Sequence, residues 1–308
     1  MRLSRRPLGS TFLLLLLACA PNAASVEPRA ARAASRAAFD SARAFEHLRA
    51  LVAIGPRPPG SAGIQQARSY LTTQLKNLGL SPIEQPFEAQ TPLGPMKMVN
   101  ITVRLPGKRP ERVIIGGHYD TKLFRAFRFV GASDGGSSAA MLLELARVLK
   151  DRERPLTIEL VFFDGEEATL PDWTGTDHTY GSRHYVAAAR KDGSLSAIKG
   201  MILLDMVGDR NLTIRKETRS TPWMTAIIWD SARRLGHQSV FLDESFPVED
   251  DHAAFLDAGI PAVDVIDLDY AQWHTADDNL DAVSARSLQV VGDVIVESLP
   301  KIVARLHP

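Results

Sequence analysis

The sequence predicts one α/β domain with a mostly parallel central sheet and helices on both faces. Three observations carry that expectation. Val113–Gly117, Thr157–Phe163, Met201–Met206 and Pro261–Ile266 are short apolar runs rich in β-branched and aromatic residues, the pattern of strands buried on both faces. Stretches of helical periodicity separate them, and strands alternating with helices argue for parallel pairing through crossover helices. A chain of 308 residues with 45% apolar and 23% charged content suits one large globular domain.

The chain opens with Arg2, Arg5 and Arg6, then Phe12 to Leu17, then Ala18-Cys19-Ala20. A basic segment, a short apolar segment and small residues make residues 1–19 a secretory signal, too short to remain as a spanning helix. Cys19, the single cysteine, stands where a lipobox would place a lipidated residue (Leu16-Leu17-Ala18-Cys19). Cleavage between Ala18 and Ala24 without lipidation is the other reading. Either way the protein is expected to be exported: periplasmic, secreted or lipid-anchored through Cys19. Residues 20–38, rich in Ala, Arg, Ser and Pro, read as a tether, and 39–308 as a single catalytic domain. The mature domain has no cysteine and must fold without disulfides. Zero formal net charge and no long basic run speak against nucleic acid as a partner. The mature chain is expected to have no transmembrane span and to act as a monomer.

Asp40–Ile54 carries helical periodicity stopped by Gly55-Pro56, and Ala62–Leu78 reads as an amphipathic helix closed by Gly79. Ile83–Phe87 and Met96–Leu105 read as extended. The strand Val113–Gly117 delivers His118, Tyr119 and Asp120. Lys122–Val130, basic and aromatic, is either a lid or a packed surface loop. Gly131–Gly136 turns into a helix over Ser137–Leu149. Thr157–Phe163 breaks at Asp164-Gly165 into Glu166-Glu167, adjacent carboxylates that point opposite ways in extended chain. One can bind a cation while the other works as an acid or base. A loop with Trp173 and a helix from Tyr180 follow, then Met201–Met206 with Asp205 near its end. Pro222–Leu235 reads as a helix, Asp250-Asp251-His252 as the cap of a short helix, and the loop after Pro261–Ile266 holds Trp273-His274-Thr275. Ser284–Leu306 is the last helix.

Ligands in open α/β sheets bind beyond the carboxyl ends of the strands. Here those ends carry His118 and Asp120, Glu166 and Glu167, Asp205 and His274, with Asp134 on the Gly-rich turn. Each has an ordinary structural reading: His118 as a buried hydrogen-bonded histidine, Asp134 as a helix cap, Asp205 as an acceptor for a nearby amide. Together, histidine nitrogen and carboxylate oxygen without cysteine suit a zinc site with an open position.

In order, His118-Tyr119-Asp120, Gly131-Ala132-Ser133-Asp134, Phe163-Asp164-Gly165-Glu166-Glu167, Leu204-Asp205 and Trp273-His274-Thr275 resemble the zinc-dependent aminopeptidase superfamily. Tyr119-Asp120-Thr121-Lys122, Trp173, Tyr180-Gly181-Ser182-Arg183-His184, Asp250-Asp251-His252 and Trp273-His274 are most similar to its glutaminyl-peptide cyclotransferase (glutaminyl cyclase) branch. The resemblance spans Arg57 to Asn279. It implies the phosphorylase/hydrolase-like architecture of that superfamily and one zinc held by Asp134, Glu167 and His274. It further implies Glu166 as general acid/base, Asp205 and Asp250 as supporting catalytic carboxylates, and Trp273 with Trp173 shaping the substrate pocket. Its substrates would be peptide or protein N-termini, cyclised from glutamine, or more slowly glutamate, to pyroglutamate with release of ammonia or water. Glu249 and Asp264 depart from the branch, which would have neutral or histidine side chains there.

A two-zinc aminopeptidase is the alternative, with His118 and Asp205 binding the second metal and Asp134 bridging. An inactive peptide-binding module of the same fold would be expected to have lost Glu166, which is present. Trp223 and Trp229 read as core residues, His252 as a packing or capping residue, and Arg125 and Arg128 as solvated.

Overall fold

Six strands form the central sheet of the computed structural model, which describes Met1 and residues 37–307. β1 (Ile83–Thr91) and β2 (Gly94–Leu105) form an antiparallel hairpin, and β2 also runs antiparallel to β4 (Leu156–Phe163). β3 (Arg109–His118), β5 (Ile198–Asp205) and β8 (Ala262–Ile266) continue the sheet in parallel, in the order β1-β2-β4-β3-β5-β8. Parallel pairing aligns the carboxyl ends of β3, β4, β5 and β8 along one edge. The sequence pattern did not announce the antiparallel flank, nor a separate parallel pair, β6 (Ile214–Glu217) and β7 (Phe241–Phe246).

Side chains of these strands alternate between two apolar layers. Ile158, Leu160 and Phe162 face the larger one, with Val113, Ile115, Ile202, Leu204, Val263 and Val265. It is covered by α1 (Ser41–Ile54), α2 (Ala62–Asn77), α3 (Ser138–Leu149), α5 (Pro222–Arg234) and α7 (Ala285–Leu306). Val161 and Phe163 face the smaller one, under α4 (Tyr180–Lys191) and α6 (His252–Asp257). Trp223 and Trp229 pack partly buried against the larger layer. Asp40 caps α1 by accepting from Ala42 and Arg43 N–H, Ser61 caps α2 through Ile64 N–H, and Ser284 caps α7 through Ser287 N–H.

The secretory signal over 1–19, Cys19 and the tether up to residue 36 lie outside the described residues. The last two tether residues are held on the body: the carbonyls of Ala37 and Ala38 accept from Arg152 and Arg147. Residues Arg36–Pro308 cluster as one compact unit. Among the described residues, no helix is long and apolar enough to cross a membrane.

The glycine turn leads into α3 within a residue of the expected start, and Asp134 in that turn is non-helical, at φ −78°, ψ 106°. Asp134 therefore caps nothing, and its side chain is left for other work. Asp250-Asp251 does not cap α6 through a side chain either: the Asp250 carbonyl accepts from Ala253 N–H, and its carboxylate turns back onto Asp251 N–H.

Candidate active site

Beyond the carboxyl edge of the sheet lies a cavity of about 320 Å³. Asp134, Glu166, Glu167, Trp173, Asp205, Asp250, Trp273 and His274 all line it. Residues 140 positions apart in the chain meet here because each follows a strand or the turn beside one. His118 closes the floor from the end of β3, 1% exposed.

Asp134, Glu167 and His274 present one ligand atom each within 4.8 Å of one another. His274 Nε2 is 3.3 Å from Glu167 Oε1 and 3.4 Å from Asp134 Oδ2. His118, Asp134 and Asp205 form a second group of the same kind. His118 Nε2 lies 3.1 Å from Asp205 Oδ1 and 3.2 Å from Asp134 Oδ1, so Asp134 is shared by the two groups. Asp205 also accepts from Met206 N–H, so its ordinary structural role and its place in the cavity coexist.

The adjacent carboxylates occupy different surroundings. Glu167 accepts from Lys122 N–H, and Lys122 Nζ stands 3.8 Å from its second oxygen. Glu166 turns toward His118, 3.6 Å away. The turn is made possible by Gly165 at φ 73°, where a Cβ would lie 2.4 Å from Met98 Sδ. Asp120 is not part of either ligand group. Its two carboxylate oxygens accept the backbone N–H of Glu166 and of Glu167, bracing the turn from β3.

Electrostatics divide along the same line. Burial, opposed by His118 and reinforced by Asp250, pushes Glu166 well above its ordinary value. Asp250 is likewise pushed well up, by burial and then by Asp205 and Asp251. Burial would raise Asp134, but the His118 and His274 rings beside its carboxylate hold it well below the usual range. Burial lifts Glu167 only to about 7, with Asp134 adding and His274 opposing. Burial would lower His274, yet contacts with Asp134 and Glu167 raise it to about 9.

Aromatic residues build the mouth. Trp273, 44% exposed, stacks on the His274 ring at 4.3 Å, and Phe124 and Phe129 meet that ring edge-on at 5.5 and 5.9 Å. The basic-aromatic loop is thus a packed wall behind His274. Trp173 stacks on His178 at 4.5 Å on another side. Two non-glycine residues lining the cavity hold left-handed backbone, Met206 at φ 46° and His274 at φ 55°. Such conformations are kept where packing over-determines them.

Several contributors escaped sequence reasoning. Lys122, 2% exposed, lines the cavity, and only its place after His118-Tyr119-Asp120-Thr121 hinted at it. Behind Asp250, His252 is sandwiched between Glu217 (Nε2–Oε2 3.0 Å) and Asp264 (Nδ1–Oδ2 3.6 Å), all three buried. Of the two residues that depart from the resemblance, Glu249 lines the cavity rim and Asp264 lies in this buried group.

A family model described as Peptidase family M28 matches residues 100–299. Glutaminyl-peptide cyclotransferase-like protein from Bos taurus is 34% identical over 262 residues, which cover 75% of this chain and 68% of that protein. The crystal structure of an Acidobacteriales bacterium glutaminyl cyclase superposes with a TM-score of 0.83 at 38% identity, covering 88% of this chain and 97% of that one. A leucine aminopeptidase precursor from Bacteroides thetaiotaomicron VPI-5482 superposes with a TM-score of 0.78 at 26% identity, covering 85% and 97%.

Proposed function

The chain belongs to peptidase family M28, on the branch that includes the glutaminyl-peptide cyclotransferases, and from that premise we propose that it is a zinc-dependent glutaminyl cyclase. It would convert N-terminal glutamine of peptides, and more slowly glutamate, to pyroglutamate with release of ammonia or water. The observation that carries this reading is a buried Glu166, its carboxyl pushed up by burial, lining the same cavity as Trp173 and Trp273 beside a separate ligand trio.

Asp134, Glu167 and His274 would hold the zinc. The donor set fits: two carboxylates and one imidazole with closely grouped ligand atoms, in which Asp134 Oδ2 and Glu167 Oε2 are buried without a hydrogen-bond partner. When bound, zinc supplies a Lewis acid for the γ-carboxamide. The substrate's own α-amine is the nucleophile, so the protein's task is to hold the chain folded back on itself. Trp173 and Trp273 would do this by packing the glutamine side chain between aromatic surfaces. As the amine nitrogen bonds to the carboxamide carbon, Glu166 takes its proton. As the carbon–nitrogen bond to the leaving group breaks, Glu166 returns that proton and ammonia departs. The raised affinity of Glu166 for protons suits both halves of this exchange. The carboxylates of Asp250 and Asp205 beside it would favour its protonated form.

A two-zinc aminopeptidase is the second reading, favoured by the His118, Asp134 and Asp205 group and by the structural likeness to a leucine aminopeptidase precursor. One sample distinguishes them. Zinc per chain would be measured beside ammonia release from a Gln-initiated peptide and amine release from a Leu-anilide. One zinc with ammonia release alone is the expected result; two zincs with anilide cleavage would make the protein an aminopeptidase.

A further inference from the structure

Asp278 lies four residues beyond His274, is fully buried, and belongs to neither ligand group. Its carboxylate nevertheless grips the turn that carries Asp134. One oxygen accepts from Ser133 N–H at 2.8 Å and from the Tyr270 hydroxyl at 2.7 Å; the other accepts from Asp134 N–H at 3.2 Å. The Asp278 carbonyl also accepts from Ala132 N–H at 3.3 Å. One residue thus receives three consecutive backbone donors of the Asp134 turn.

The same turn is held from its other polarity by Arg57, also fully buried, which donates to the carbonyls of Val130 at 2.7 Å and Gly131 at 3.0 Å. A carboxylate on the N–H groups and a guanidinium on the C=O groups fix a stretch that is non-helical at Asp134 and left-handed at Gly131 and Gly135. Without an acceptor, the buried N–H groups of Ser133 and Asp134 would need other partners, and the turn would rotate to find them. Rotation there moves the Asp134 carboxylate directly.

We propose that Asp278, seated by Tyr270, is the positioning residue that ties the Asp134 turn to the His274 loop and so sets the zinc affinity of the site. The inference rests on the zinc reading above. Two ligands 140 residues apart in sequence must be brought together before a metal can bind both. Asp278 does this through short hydrogen bonds between their two loops, so less ordering is left for the metal to impose. Groups that orient metal ligands from behind typically matter by about 10- to 100-fold in metal affinity.

The experiment uses the mature protein stripped of metal with a chelator, then titrated with zinc against a chromogenic chelator and with cobalt(II) for its visible spectrum. D278A should weaken zinc binding by about 10- to 100-fold. D278N, which keeps one acceptor oxygen, should recover part of that loss, and Y270F, which keeps the carboxylate, should lose less than D278A. Cobalt spectra of D278N and Y270F should shift in position or intensity, because the ligand geometry changes. Should D278A not fold, D278N and Y270F decide. Wild-type zinc affinity and cobalt spectra in both, with binding lost in D134N, would overturn the proposal while leaving the zinc reading standing. Wild-type affinity in D134N would overturn the zinc reading and this inference with it.

Discussion

The two halves of the cavity wall are both acidic and both buried, yet they treat charge in opposite ways. On the half formed by Asp134, Glu167 and His274, every carboxylate has a cationic or N–H partner close by: His118 and His274 for Asp134, Lys122 and His274 for Glu167. Asp134 stays low and Glu167 rises only to about 7. On the half around Glu166 and Asp250, with Asp264 buried behind them, burial and neighbouring carboxylates push all three well above their ordinary range, His118 opposing for Glu166 and Asp250. Asp264 has no hydrogen-bond partner on either oxygen. The first half gives its carboxylates cationic and N–H partners; in the second, burial and neighbouring carboxylates favour the protonated form. Adjacent residues, Glu166 and Glu167, fall on opposite sides of that division because the chain leaving β4 is braced by Asp120 and points them apart.

The largest test of the division is Glu166→Gln. If Glu166 only carries protons, the variant should keep its zinc and lose about 10²- to 10⁴-fold in kcat/KM for a Gln-initiated peptide, followed by ammonia release. Loss of zinc together with activity would show that the two halves are not separate. Less effect on catalysis is expected deeper in the second half, where Glu217 is an exception to its neighbours. Burial would raise it, but His252, the Arg219 N–H and the Ser220 hydroxyl hold it down to about 2. A depressed carboxyl contributes stability that is complete above its unfolded value near 4.5 and is lost as pH falls toward 2. Glu217→Gln should therefore cost about 2 kcal/mol in urea unfolding at pH 7, and the gap from wild type should narrow by pH 3. A gap independent of pH would mean that Glu217 contributes by packing and not by charge.

Much of this arrangement was legible because it depends on strand ends. A buried strand such as Leu156–Phe163 announces itself by composition, and whatever follows it in a parallel sheet must emerge at the ligand-binding edge. That logic reaches the turn after β4, Asp205 and the loop after β8 without any knowledge of contacts. It does not reach residues whose role comes from loop paths. Asp278 looks like one of two ordinary acidic residues in Thr275-Ala276-Asp277-Asp278-Asn279; only the fold turns one inward onto the Asp134 turn and leaves Asp277 in solvent. Glu217, His252 and Asp264 meet because β6, α6 and β8 pack together, and the short β6–β7 pair has too little periodicity to be read. The left-handed backbone of His274 is likewise set by tertiary packing, since histidine tolerates it better than most residues but does not select it.

The subtlest test asks whether like charges alone tune the second half. Asp251 is fully buried next to Asp250; burial lifts it to about 7, with the Ser182 hydroxyl pulling the other way. Its charge is one cause of the raised Asp250 value, after burial and Asp205. Asp251→Asn keeps the shape and removes the charge, so Asp250 should hold its proton less tightly. Activity that depends on ionised groups of this set would then appear at lower pH. The rising acidic limb of the kcat/KM profile should move down by about half a pH unit, with the plateau changed little. A limb that stays in place would assign it to a group outside the coupled carboxylates. A limb that moves up would mean that the Asp251 charge stabilises the ionised form through an intermediary, the cationic His118 being the one such group that both Asp250 and Asp251 sense.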